Sequence, residues 1–258
     1  MPLDLFQKSI FKLLASTRSE GYVAGASVIN RLDSSLRYSQ DIDIFHDRAD
    51  KVASSALADE AVLRSDGFKI EWELQQPSFF RGIVKKNGQS LRLEWAVDSA
   101  YRFFPLVKDE AFGARLHDLD SATNKILACA SRNEIRDYVD ISYLHDSYLS
   151  LFLLIWAACG KDEGFTPDFL LEEIMRKVCF KQSELDLLRL NQPMDVKKFK
   201  IKLNAMFEST KINFGKLDPK HIGGVYLNNK FEPINPLETD AFQIHYGKLY
   251  GAWPKPLN

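Results

Sequence analysis

The chain has 258 residues, with 34 Lys and Arg against 35 Asp and Glu for a net charge of −1. At 45% hydrophobic and 27% charged, the composition is that of an ordinary globular protein and excludes a disordered, collagenous or low-complexity chain. A balanced total gives no global case for nucleic acid or membrane, so any such case must rest on local clustering. Cys129, Cys159 and Cys179 are odd in number and lack C-x-x-C spacing. They read as buried free thiols of a reducing, cytoplasmic setting, not as a disulfide framework or zinc site. The first 21 residues are amphipathic without a long apolar core, and the longest apolar run, Leu149 to Cys159, is about half a bilayer span. Neither a signal peptide nor a membrane segment is expected.

In chain order, residues 1–20 carry helical spacing (Leu3, Phe6, Ile10, Leu13, Leu14) that stops at Gly21. Tyr22-Val23-Ala24 is a short strand ending at Gly25-Ala26-Ser27, after which Val28, Ile29 and Leu32 return to helical spacing. Asp41-Ile42-Asp43-Ile44-Phe45 alternates with period two, so Asp41 and Asp43 share one face of a half-buried strand. Residues 49–66 read as a helix, and 68–98 as several strands, with Asn87-Gly88 as a hairpin turn between Phe80–Val84 and Leu91–Val97. From about residue 118 the pattern is helical: 118–131, a continuous stretch from Arg136 to Leu154, then 167–180, 183–190 and 195–209. The tail beyond Pro219 reads as irregular. This predicts an α+β protein with a mixed β-sheet core over residues 1–114 and a packed, mostly helical half over 115–258.

The chemistry concentrates at Gly25-x-Ser27, followed fourteen residues after Ser27 by Asp41-x-Asp43. Gly25 permits a tight turn at a strand end, and Ser27 opens the next helix, whose N-terminal N–H groups and hydroxyl suit phosphate. Asp41 and Asp43 repel each other unless a cation lies between them. Mg2+ held by one or two carboxylates plus substrate phosphates is the usual solution. A phosphate cradle beside such a pair is the minimum equipment for phosphoryl or nucleotidyl transfer. A third carboxylate is expected from a later strand; Glu94 occupies the polar phase of Leu91–Val97, with Asp98 as the alternative. No P-loop sequence is present, and the five histidines have no metal-ligand spacing.

Val23-Ala24-Gly25-Ala26-Ser27 and Ser39-Gln40-Asp41-Ile42-Asp43-Ile44-Phe45 resemble the first motif of the DNA polymerase β-like nucleotidyltransferase superfamily. Asp118-Leu119-Asp120-Ser121-Ala122-Thr123-Asn124-Lys125 resembles the helical acid-to-lysine motif of AbiEii/MenT-type nucleotidyltransferases, with Asp118 and Asp120 both candidates for the acid. Arg136-Asp137-Tyr138-Val139-Asp140 resembles the Arg-Asp-x-x-Asp motif that follows. The resemblance covers residues 20–145; Gly25-Ala26 stands where the family usually has Gly-Gly. It implies a nucleotidyltransferase fold and transfer of NMP from an NTP to an acceptor hydroxyl. It further implies that Asp41 and Asp43 hold Mg2+, that Glu94 helps bind the metal or deprotonates the acceptor, and that Gly25 and Ser27 seat the nucleotide phosphates. Lys125 would balance charge on the leaving pyrophosphate, and Asp137 or Asp140 would orient Lys125 or contact nucleotide or acceptor. The group includes toxins of bacterial toxin–antitoxin and abortive-infection systems, so an antitoxin partner is implied as well.

Residues 176–216 hold ten basic residues against four acids, a local net charge of +6, with Lys197, Lys198, Lys200 and Lys202 interleaved by Phe199 and Ile201. Such a stripe suits an RNA acceptor held by phosphate contacts. A small-molecule nucleotidyltransferase and an inactive nucleotide-binding module remain the alternatives.

Overall fold

A computed structural model describes residues 3–15 and 21–255, and the chain divides into two compact units. The first comprises residues up to Ala100 together with Leu106–His117; the second comprises Tyr101–Pro105 together with residues from Asp118 onward.

The first unit holds helices α1 (Leu5–Ala15), α2 (Ala26–Ile29) and α3 (Ala49–Ser65). Its strands are β1 (Tyr22–Val23), β2 (Asp41–His46), β3 (Lys69–Gln76), β4 (Phe79–Lys86), β5 (Gln89–Val97), β7 (Val107–Asp109) and β8 (Gly113–Arg115). The rest of the helix expected over residues 1–20 lies largely outside the described residues. One sheet joins the strands in the order β3-β4-β5-β2-β1-β8-β7. It is mixed: β2 runs parallel to β5 and antiparallel to β1, and β1 is parallel to β8. Asn87 and Gly88 both take positive φ, 50° and 77°, as the two-residue hairpin between β4 and β5 demands.

Period-two alternation sorts the faces. Ile42, Ile44, Leu93 and Trp95 turn inward with Phe6, Ile10 and Leu14 of α1 and Val52, Ala56 and Leu63 of α3, forming one apolar core. The Trp95 indole N–H donates to Asp59 Oδ2 of α3 at 2.8 Å, both side chains being buried. Asp41, Asp43 and Glu94 are left half-exposed on the opposite face, with Arg92 exposed beside them.

The second unit is mostly helical: α4 (Asp118–Ser131), α5 (Ile135–Ser147), α6 (Leu151–Ala158), α7 (Pro167–Arg176), α8 (Gln182–Asp186) and α9 (Val196–Phe214). The stretch expected as one helix from Arg136 to Leu154 is broken, and α5 and α6 meet at 113°. Tyr148 and Ser150 leave helical geometry, and His145 Nδ1 accepts the Leu151 N–H at 3.0 Å, satisfying a free amide at the start of α6. Every residue of α6 is buried, and no single helix among the described residues is long and apolar enough to cross a membrane.

The segment beyond Pro219 is more regular than its composition implies. A 3₁₀ turn (Pro219–His221) leads into β9 (Gly224–Leu227), which pairs antiparallel with β10 (Gln243–Tyr246), and β11 (Lys248–Leu249) pairs with β6 (Tyr101–Arg102). Cys129 and Cys159 are buried, and burial pushes the Cys159 thiol up to about 12. Cys179 is exposed, contrary to the expectation of three buried thiols, because it follows α7 where the chain has left the helix.

Candidate active site

In the first unit the parallel register of β2 and β5 sets Asp43 opposite Glu94 and Asp41 opposite Arg92. Adjacent strands lie about 4.8 Å apart, so Glu94 is Asp43's lateral neighbour on the same face. Asp98 lies past the end of β5, where its Oδ1 accepts the Ser99 N–H at 2.7 Å. Of the two candidate acids, Glu94 is therefore the one beside Asp43.

Gly25 precedes α2 with φ 66°, a conformation that disfavours other residues. A Cβ there would stand 2.6 Å from Asp43 Oδ2, so the missing side chain lets the turn approach that carboxylate. Ser27 is buried, and its hydroxyl donates to the Asp41 carbonyl (3.1 Å) with its Oγ 3.3 Å from Ser39 Oγ. Ser39 Oγ also donates to the Asp41 carbonyl at 2.9 Å. Two hydroxyls thus converge on one peptide oxygen and tie the Gly25-Ala26-Ser27 turn to β2.

One participant was missed in the sequence. Arg81 of β4 pairs with Glu94 across the hairpin, and its Nε donates to Glu94 Oε1 at 2.7 Å. The same guanidinium lies 5.1 Å from the centroid of the Phe79 ring. Because the hairpin turn has two residues, every cross-strand pair can be counted from it, and Arg81 opposite Glu94 was legible in principle. With Glu94 turned to Arg81, no group of three or more His, Cys, Asp and Glu among the described residues is disposed to hold a metal ion. Asp41 and Asp43 alone supply two hard oxygen donors at i and i+2 on one face. That donor set fits Mg2+, which characteristically takes one or two carboxylates and completes its shell with water and phosphate.

In the second unit, Lys125 of α4 is buried, with Nζ 2.8 Å from Asp137 Oδ1 and 3.1 Å from Asp140 Oδ2, both on α5. The i, i+3 spacing of the two acids places both on the face that meets α4, so the structure brings together both alternatives. Arg132, missed in the sequence, donates through Nε to Asp137 Oδ2 at 2.7 Å. Burial alone would raise the Asp137 carboxyl, but the charges of Lys125 and Arg132 prevail and hold it below the usual carboxylate range. The helical acids separate as clearly. Asp120 is fully buried; its Oδ1 accepts the Phe103 N–H (2.8 Å), its Oδ2 the Phe104 N–H (3.0 Å), and Lys161 Nζ lies 2.8 Å from Oδ1. Asp118 is half-exposed at the first position of α4.

The basic stripe falls on α9. Phe199, Leu203, Met206 and Phe207 are buried, whereas Lys197, Lys198 and Lys202 are exposed and Lys200 is half-exposed. Lys202 forms an ion pair with Asp146, and Lys200 Nζ lies 5.3 Å from the Phe180 ring centroid.

No family model matches the chain, and no curated protein matches it in sequence. Among solved structures it is similar to JHP933 from Helicobacter pylori, with a TM-score of 0.54 and 21% identity over 81% of this chain and 90% of that one. It is also similar to MenT4, a nucleotidyltransferase toxin from Mycobacterium tuberculosis H37Rv, with a TM-score of 0.57 and 15% identity over 84% of each chain. The likeness extends well beyond the motif-bearing region and shows the architecture: this chain has the α+β nucleotidyltransferase fold.

Proposed function

We propose that the chain is a Mg2+-dependent nucleotidyltransferase that moves NMP from an NTP to an acceptor hydroxyl. The observation that carries this is the polar row on the sheet: Asp41 and Asp43 on one face of β2, Glu94 in register beside Asp43, and Gly25 closing on Asp43 without a side chain. Asp41 and Asp43 would hold Mg2+, which when bound neutralises phosphate charge and favours departure of pyrophosphate. Ser27 and Ser39 fix the backbone of Asp41, so the carboxylate pair sits on a restrained strand end. Gly25 leaves room beside Asp43 for the β- and γ-phosphates, and Ser27 holds the turn against which they are seated. The acceptor hydroxyl attacks the α-phosphate in line, the bond to pyrophosphate breaks, and Glu94, the carboxylate in register with Asp43, takes the acceptor proton. Assignment of Lys125, Asp137 and Asp140 to the nucleotide rests on the motif resemblance; NTP binding by a Lys125→Ala variant, weakened relative to the parent, is the expected result.

The acceptor we assign is RNA, supported by the exposed lysines at the start of α9. A toxin role neutralised by an antitoxin is supported by the fold likeness to MenT4. Expression of the chain is expected to arrest growth, and Asp43→Ala to relieve the arrest. Transfer of α-32P label from each of the four NTPs to total RNA and to protein, with and without Mg2+, tests the activity. Absence of both label transfer and NTP binding would overturn it.

A further inference from the structure

The row of side chains across β2, β5 and β4 reads Asp43, Glu94, Arg81, each in register with the next. A third acid beside a carboxylate pair ordinarily adds charge and affinity to a cation site, since ligand charge count tunes such sites. Here that acid is engaged by a cation from the protein itself, at 2.7 Å through Nε. Arg81 is 36% and Glu94 22% exposed in their side chains, so the pair sits at the border of solvent and its partners can exchange. The guanidinium presents five N–H donors, of which the contact to Glu94 Oε1 uses one, leaving planar donor capacity suited to phosphate oxygens.

Given a cation between Asp41 and Asp43 as proposed above, we infer that Arg81 is a positioning residue that withholds Glu94 from the metal. The resting protein therefore has a two-carboxylate site that is weak for a bare divalent ion. The missing ligands come from the substrate's phosphates, so metal enters effectively only together with nucleotide. Arg81 thereby ties metal loading to substrate, and an idle enzyme does not retain a cation. No covalent step is involved; the effect is one of partner choice by Glu94.

The probe is Mn2+ alone, titrated into the full chain by calorimetry or electron paramagnetic resonance, and then in the presence of a non-hydrolysable NTP analogue. In the parent protein, the analogue is expected to tighten Mn2+ binding strongly. Arg81→Met, and Arg81→Gln as a second variant should the first misfold, are expected to bind Mn2+ without nucleotide about tenfold more tightly than the parent. The nucleotide-dependent gain should shrink correspondingly. Adding Glu94→Gln to either variant should cancel the increase. Parent-like Mn2+ binding in folded Arg81 variants, or an increase that survives Glu94→Gln, would overturn the inference. Either result leaves the catalytic proposal standing if Asp43→Asn still loses Mn2+ and NTP-analogue binding. Unchanged binding in Asp43→Asn removes the metal site itself, and the inference with it.

Discussion

Two acid-bearing regions of this molecule obey opposite rules. On the β2–β5 face, Asp41, Asp43 and Glu94 are half-buried on a strand surface whose reverse side is a dry core. Between α4 and α5, Asp137 and Asp140 are fully buried and meet Lys125, with Arg132 closing over Asp137. The first arrangement concentrates negative charge where solvent and ligands reach it. The second cancels negative charge in the interior, where bulk solvent does not reach it. Acids near solvent keep part of their hydration and can exchange partners, as Glu94 can with Arg81, whereas acids in the interior must bring their cations with them.

The sharpest way to break the comparison is to remove one acid from each region. Asp43→Asn should reduce label transfer by at least ~100-fold, while its melting temperature stays near that of the parent. Asp137→Asn should lower stability directly: it strands Lys125 and Arg132 and costs about 3–5 kcal/mol at neutral pH. Because the folded-state carboxyl of Asp137 lies below its ordinary value, its contribution is complete above about pH 4 and is lost as pH falls through that lower value. Denaturant titrations of parent and variant should therefore converge in acid; a gap of constant size from pH 7 to pH 3 would contradict the ion-pair assignment.

A smaller effect is expected at the turn facing the strand. Gly25→Ala forces a positive φ on a residue with a side chain and drives its Cβ against Asp43 Oδ2. A cost of about 1–3 kcal/mol is expected, with a loss of label transfer that exceeds what destabilisation explains. Replacing Lys197 and Lys198 together by Ala should be the mildest change. Stability should move by less than ~0.5 kcal/mol, and the salt dependence of RNA binding should fall in slope by about one to two.

What the sequence revealed divides along the same line. The carboxylate face was legible because it is made locally: alternation assigns each residue of β2 and β5 to a face, and Asn87-Gly88 fixes the hairpin that delivers Glu94. Lys125 and the two acids of α5 were legible through motif spacing. Their mutual satisfaction was not, because it depends on how two helices meet. Asp120 shows the limit most clearly. Its partners, the amides of Phe103 and Phe104, lie 17 and 16 residues away in a segment with no motif of its own. Helical spacing of apolar residues from Tyr138 through Ile141, Leu144 and Leu149 masked the break between α5 and α6, since the sharp turn contains neither proline nor glycine. Likewise β9 and β10 are four residues each and pair across a gap of fifteen, too short and too distant for alternation to announce them.

The indole of Trp95 and the carboxylate of Asp59 meet on the side of the sheet away from the acids. They act as a ratchet stop for β5. Slipping that strand by one residue would bring the indole out to solvent, bury Glu94 and leave Asp59 without its donor, so the pair selects which residue stands beside Asp43. A loss-of-activity screen of this chain should accordingly recover Asp59, on α3 at the opposite side of the sheet from Asp43. Its phenotype would resemble that of a catalytic acid although it touches no substrate.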